Sequence, residues 1–432
     1  MKNNSSVFKN IFLLSFSVSI KFLAVFLGFY SAKWFINLST SEYASLNLIT
    51  AYTPIVISIV SFGIPELIQK YYTIKSNKYK LEDIWTSLSF LRLISYFIGI
   101  LLILLSFKAS KVDNLIYILG IFTAQYILII DANYRSVCDA KNISWQFSLT
   151  DFLSKFLLVV FLYLGLYFKL TNLTFFIIIS IISYSIGLIL DAFLQRKITR
   201  LGKLSIGFLK ENFKSIIFLS LSTILFSTYT TTDRLFIKYF NFNDLVLNSY
   251  SIAYRVFEII IIIPSLTMPI LVSRVQPYLH TDKTYILRKF GKFGNKLLWE
   301  VIVLNFVFGV CLTIGLFMSS RFILDILGAL NTYPDSENIL KILSFGLLLL
   351  PNAIFMSLIT IFLGGEKFQF YTGIFLSVTT ILGYLIFIPT YGAVGAAFTS
   401  IFTGFLDFFL LKIPFLLVII KRHGKEQGFS SN

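Results

Sequence analysis

Long apolar runs recur along the whole chain, and no soluble fold can bury so many of them. "FIGILLILLSF" at 97–107 and "FFIIISIISYSIGLIL" at 175–190 are two cores of such runs. A helix satisfies its own backbone hydrogen bonds, and about 20 apolar residues carry it across a bilayer. Twelve segments fit that length: 11–31, 46–65, 85–107, 114–134, 148–168, 173–194, 214–237, 250–272, 296–318, 339–363, 370–388 and 394–420. Composition agrees, because 56% of the 432 residues are hydrophobic and only 13% are charged, against about a quarter charged in a soluble domain. The expectation is an all-α membrane protein with about twelve transmembrane helices.

The net charge of +16 would suggest a nucleic-acid partner in a soluble chain. Here the cations alternate with the spans instead. With the N-terminus inside, 24 of the 37 Lys and Arg fall in inner segments, seven in outer segments and six within spans. That bias places both termini in the cytoplasm and removes the nucleic-acid reading. Cys138 and Cys311 stand far apart, and His280 and His423 have no neighbouring ligand type. No disulfide framework, metal centre or cofactor is therefore expected. The start, "MKNNSSVFKNIFLLSF", reads as a short tail leading into the first span rather than a cleaved leader.

The basic connection after span six, "QRKITRLGKLSIGFLKENFK", divides the chain. It predicts an N-terminal six-helix bundle over 1–200, a cytoplasmic linker over 201–213 and a C-terminal six-helix bundle over 214–432. The linker reads equally as an amphipathic segment lying on an anionic leaflet or as a solvated loop. "NIFLLSFSVSI" at 10–20 can be laid on "SIIFLSLSTIL" at 215–225, and Pro65 has counterparts in Pro264 and Pro269. These matches fit duplicated, pseudo-symmetric halves, a common transporter plan. Pro54, Pro264 and Pro269 are expected to bend their helices, since each removes a backbone hydrogen bond.

Four stretches carry a more specific likeness. They are "LSTSEYASLNLITAYTPIVISIVSFGIPELI" with Glu42, Tyr43 and Gly63; "TTDRLFIKYF"; "SYSIAYRV"; and "YGAVGAAFTSIFTG" at 391–404. In order and spacing the chain resembles polysaccharide-unit (O-antigen) flippases, the oligosaccharidyl-lipid branch of the multidrug/oligosaccharidyl-lipid/polysaccharide exporter superfamily. Ala44 stands where that branch usually has Gly. The resemblance implies two six-helix bundles around a central cavity in a bacterial inner membrane. It implies alternating-access transfer of undecaprenyl-pyrophosphate-linked oligosaccharide to the outer leaflet, for O-antigen or related surface polysaccharide. It also implies membrane lipids, a polysaccharide polymerase and a chain-length regulator as partners.

Charged residues within spans are functional candidates by default. Arg255 and Glu258 lie three apart on one face of span eight, beyond easy reach of either surface. Lys21 in span one and Arg92 in span three have no acid within a turn, while Asp151 and Lys155 are placed to pair. Asp407 sits mid-span in the last helix with Lys412 nearer its end, and Asp191 and Glu300 read as ordinary interface residues. Asp233 and Arg234 close span seven, either anchoring the interface or lining a cavity. For a lipid pyrophosphate the contacts expected are Arg255 and Lys21, then Arg92, with Tyr250 and Tyr254 against sugars. The candidate cavity set is Arg255, Lys21, Arg92, Glu258, Lys155, Asp233, Arg234 and Asp407. No nucleotide-binding GxxxxGK[ST] motif occurs, so a gradient or substrate supply has to drive transport. An ion-coupled antiporter of drugs or organic cations is the alternative, with Asp407 and Glu258 as titrating acids. A membrane polysaccharide polymerase is the lesser one, because the outer loop with Arg321, Asp325 and Asp335 shows no catalytic constellation.

Overall fold

The computed structural model describes residues 16–414 apart from 17–18, 21–22, 25, 74–78, 108–113, 142, 241, 280–294 and 363–365. The chain forms two compact units, Met1–Lys238 and Tyr239–Asn432. Among the described residues, seven helices are long and apolar enough to cross a membrane, or up to nine if each bent pair is one span. The protein is an all-helical, multi-pass membrane protein.

In the first unit, residues 26–35 are helical and lead to α1 (Thr40–Ser61). Ser39 and Glu42 form a capping box there, each satisfying a backbone N–H of the other. Glu42 also accepts from the Leu173 N–H at 3.3 Å. α1 runs through Pro54 and stops instead at Phe62 and Gly63, with φ of 54° and 58°. α2 (Ile64–Thr73) follows the break. It packs with Trp85, Leu88, Val137 and Phe208 in a buried apolar cluster.

α3 (Leu81–Ser106), α4 (Leu115–Ala140), α5 (Ser144–Tyr167) and α6 (Leu173–Gln195) follow. Their faces are reversed relative to a soluble protein. α6 buries Ser180, Ser183, Gly187, Asp191 and Gln195 at helical spacing and exposes Ile178, Ile182, Ile189 and Phe193. Lipid solvates apolar side chains at no cost, so small and polar residues take the helix–helix seams. α5 repeats the plan with Ser148, Thr150, Ser154 and Gly165 inward. Asp151 and Lys155 do not interrupt it.

α7 (Ile206–Thr231) packs on α1, and the short α8 (Asp233–Tyr239) follows after Thr232. The compact units thus divide at 238/239, later than the 201–213 linker drawn from sequence. The second half of that linker is the first turns of α7.

The second unit contains α9 (Asp244–Leu279), α10 (Asn295–Leu327), α11 (Ser336–Ser344), α12 (Leu350–Phe362) and α13 (Glu366–Leu406). A 3₁₀ turn, Phe345–Leu348, joins α11 to α12 with a 44° bend. α13 is a hairpin of two spans. Tyr384 and Ser400 hydroxyls lie 3.0 Å apart, and the Phe387 and Phe398 rings 5.6 Å apart, whereas 16 residues of straight helix would separate them by about 24 Å. The reversal sits at Gly392, with φ 57° and ψ −133°, a conformation closed to other L-residues. A π-helical turn, Asp407–Lys412, follows α13.

Candidate functional site

A buried carboxyl pair lies within the first unit, where α4, α5 and α6 meet. Asp191 on α6 is fully buried, and its Oδ1 accepts from Thr150 Oγ1 at 2.9 Å and from Gln195 Nε2 at 3.4 Å. Asp131 on α4 is buried beside it. Oδ1 of Asp131 and Oδ2 of Asp191 have no hydrogen-bond partner among the described residues.

The nearest other charges belong to Asp151 and Lys155 on α5, paired at 2.8 Å and partly exposed. The seam between α5 and α6 is tight. A Cβ at Gly187 would stand 2.8 Å from Ser154 Cβ, one turn from the Thr150–Asp191 hydrogen bond. The arrangement places two carboxyls together in the seam, with the Asp151–Lys155 ion pair on the neighbouring helix.

The other predicted residues are placed apart from this pair. Arg92 is buried, and it donates to the Ser61 carbonyl and to Asn133 Oδ1, both at 3.1 Å. Its guanidinium also lies over the Tyr126 ring. Arg92 thereby caps the last carbonyl of α1, that of Ser61, at the break. Asp233 and Arg234 are both buried. Asp233 Oδ1 accepts the Arg234 N–H at 2.7 Å, and the two side chains lie 3.7 Å apart as an ion pair. Arg234 also reaches Thr50 on α1 at 3.3 Å.

In the second unit Arg255 is half-buried and Glu258, three residues on along the same helix, is exposed. Tyr250 and Tyr254 are buried and stacked on each other, which occupies one face of each ring. Asp407 and Lys412 form a buried pair at 3.8 Å across the π-helical turn. Lys21 lies outside the described residues.

Sequence reasoning missed Asp131 and took Asp191 for an interface residue. The available signal was the stripe Gly187, Asp191, Gln195 at four-residue intervals on a helix whose other faces are Ile and Phe. Among the described residues no three His, Cys, Asp or Glu side chains are placed to hold a metal ion.

No protein-family profile matches the sequence, and no curated protein does. Solved structures do. A multidrug-resistance MATE-family transporter of the MOP superfamily in its inward-facing conformation aligns over 98% of this chain and 100% of its own, with 13% identity and a TM-score of 0.70. A mutant MATE transporter of Vibrio cholerae aligns over 97% and 99%, with 12% identity and a TM-score of 0.70. A MOP-superfamily transporter from Pyrococcus furiosus, described as having a binding pocket of reversed polarity, aligns over 93% and 94%, with 12% identity and a TM-score of 0.60. At these identities the likeness establishes the fold, which is that of the MATE transporters: two bundles of six helices.

Proposed function

We propose that this chain is an ion-coupled exporter, exchanging protons for amphipathic organic cations, with the Asp131–Asp191 pair carrying the proton. The observation that carries the reading is the burial of two carboxyls, Asp131 and Asp191, in the seam where α4 and α6 pack. Losing the shared proton leaves two negative charges together in a low-dielectric seam, which is expensive. The seam then opens between α4 and α6, or Lys155 turns from Asp151 towards the pair. Either response ties proton occupancy to helix position, which is what alternating access requires. The cargo class is taken from the multidrug transporters that share the fold.

The experiment uses proteoliposomes with an imposed pH gradient and a fluorescent cationic dye. Wild type should move dye against its gradient, while Asp131→Asn and Asp191→Asn should carry it only downhill. Gradient-driven accumulation that survives both substitutions refutes the assignment.

A second reading, transfer of lipid-linked oligosaccharide, is favoured by the sequence likeness to flippases. Several residues behind that likeness build the fold. Glu42 caps α1, Gly63 sits at its break, Asp233 starts α8 and Gly392 turns the α13 hairpin. They speak for shared architecture more than for cargo, and for that reason this reading stands second. Movement of a fluorescent polyprenyl-pyrophosphate-linked sugar between leaflets of the same vesicles, with no dye transport, would reverse the order. Under that reading Arg255 and Lys21 are the cations to substitute.

A further inference from the structure

The segment from the end of α6 to the start of α7 is tied down at its backbone, while its basic side chains and several apolar ones stay exposed. The Gly202 N–H donates to Thr86 Oγ1 at 2.7 Å, the Lys203 N–H to Asp83 Oδ1 at 2.7 Å and the Ser205 N–H to Ser87 Oγ at 2.8 Å. All three acceptors lie in the first two turns of α3. The fit is close, since a Cβ at Gly202 would stand 2.4 Å from Asp83 Oδ1 and 2.7 Å from the Asp83 backbone nitrogen. Farther along, Tyr71 donates to Asn212 at 2.7 Å, and Phe208 is buried in the apolar cluster beneath.

What this clamp leaves outside is of two kinds. Arg196, Lys197, Arg200, Lys203, Lys210 and Lys214 are all exposed, against the single acid Glu211. Among them Leu201, Ile206 and Phe213 are exposed by 79%, 59% and 60%. A solvated loop has no reason to be both apolar and held in place. Cations interleaved with apolar side chains match a leaflet of anionic lipid, headgroups to the first and acyl chains to the second. The segment is also continuous at both ends with apolar helices, α6 and α7, which sets it at the membrane boundary.

We infer that residues 196–214 form a docking surface for anionic phospholipid, held in its binding shape by Asp83, Thr86 and Ser87. The inference is independent of the cargo proposed above. Each cation near an anionic surface contributes roughly fivefold to affinity, so removing four should cost at least about a hundredfold in preference.

The test is native mass spectrometry of the full-length protein in detergent, titrated with phosphatidylglycerol and with phosphatidylcholine. Amide exchange in nanodiscs then locates the contact. Wild type should retain phosphatidylglycerol preferentially and show slowed exchange over 196–214 in phosphatidylglycerol discs. The fourfold variant Arg196→Ser, Lys197→Ser, Arg200→Ser, Lys203→Ser should lose both effects. Gly202→Ala, which keeps every charge but breaks the clamp, should lose most of the preference. Lys33→Ser with Lys169→Ser should leave it intact. Equal binding of the two lipids by wild type, or an unchanged preference in the fourfold variant, overturns the inference. So does full protection by soluble glycerophosphate, because the exposed Leu201 and Phe213 would then have no part.

Discussion

The substitution Gly187→Ala probes the carboxyl pair without touching either carboxyl. Its Cβ would lie 2.8 Å from Ser154 Cβ, where ordinary contact begins at 3.4 Å. The α5–α6 seam therefore has to open by about 0.6 Å, the shortfall between those two distances. One turn away, the 2.9 Å hydrogen bond from Thr150 to Asp191 would stretch to about 3.5 Å and cease to count as one. Overpacking costs about 1–3 kcal/mol, and a lost hydrogen bond to a charged group about 1.5–3 kcal/mol. Gradient-driven dye accumulation should fall by tenfold or more, since 1.4 kcal/mol is already a factor of about ten. Ser154→Gly alone should be mild, and the double substitution Gly187→Ala with Ser154→Gly should recover most transport. The assay is a double-mutant cycle read both as dye accumulation and as thermal stability in detergent. Additive losses, with no recovery in the double variant, refute the claim that this contact sets the geometry of the pair.

Other outcomes follow from the same reasoning. Arg92→Met should lower stability by about 2–6 kcal/mol, because it leaves the Ser61 carbonyl and Asn133 Oδ1 without their donor at about 1–3 kcal/mol each; cargo affinity per folded molecule should not change, as fluorescence titration of solubilised protein would report. Gly392→Ala should cost about 1–3 kcal/mol, because it forces a left-handed backbone on a side chain whose Cβ would also lie 3.3 Å from the Phe242 ring; reduced folded yield with normal synthesis is the readout. Asp407→Asn and Lys412→Met should each destabilise more than the two together, since a lone buried charge is worse than none; thermal melts of the three variants decide it.

The spans were legible because a bilayer imposes one simple rule on sequence, and Lys and Arg placement repeats it. The hairpin at Gly392 was legible too, as two separate spans, because Pro389 and Gly392 interrupt the apolar run. The carboxyl pair was not. Asp131 stands four residues before Arg135, and Asp191 five before Arg196, so both look like the charged ends of spans. Only the packing of α4 on α6 turns them towards each other. Arg92 and Arg234 stand out in the sequence as charges within apolar spans, yet a sequence cannot say whether a buried guanidinium meets cargo or a backbone carbonyl. For Arg92 the carbonyl of Ser61, 31 residues away, supplies the answer.

The most direct measurement is the number of protons released when dye binds the purified protein in weakly buffered detergent. Wild type should release about one proton per dye molecule, because two carboxyls buried together hold one proton at less cost than two unpaired negative charges. The Asp131→Asn, Asp191→Asn double variant should bind dye and release none. Release that persists in the double variant, or dye binding by wild type with no release, contradicts the account.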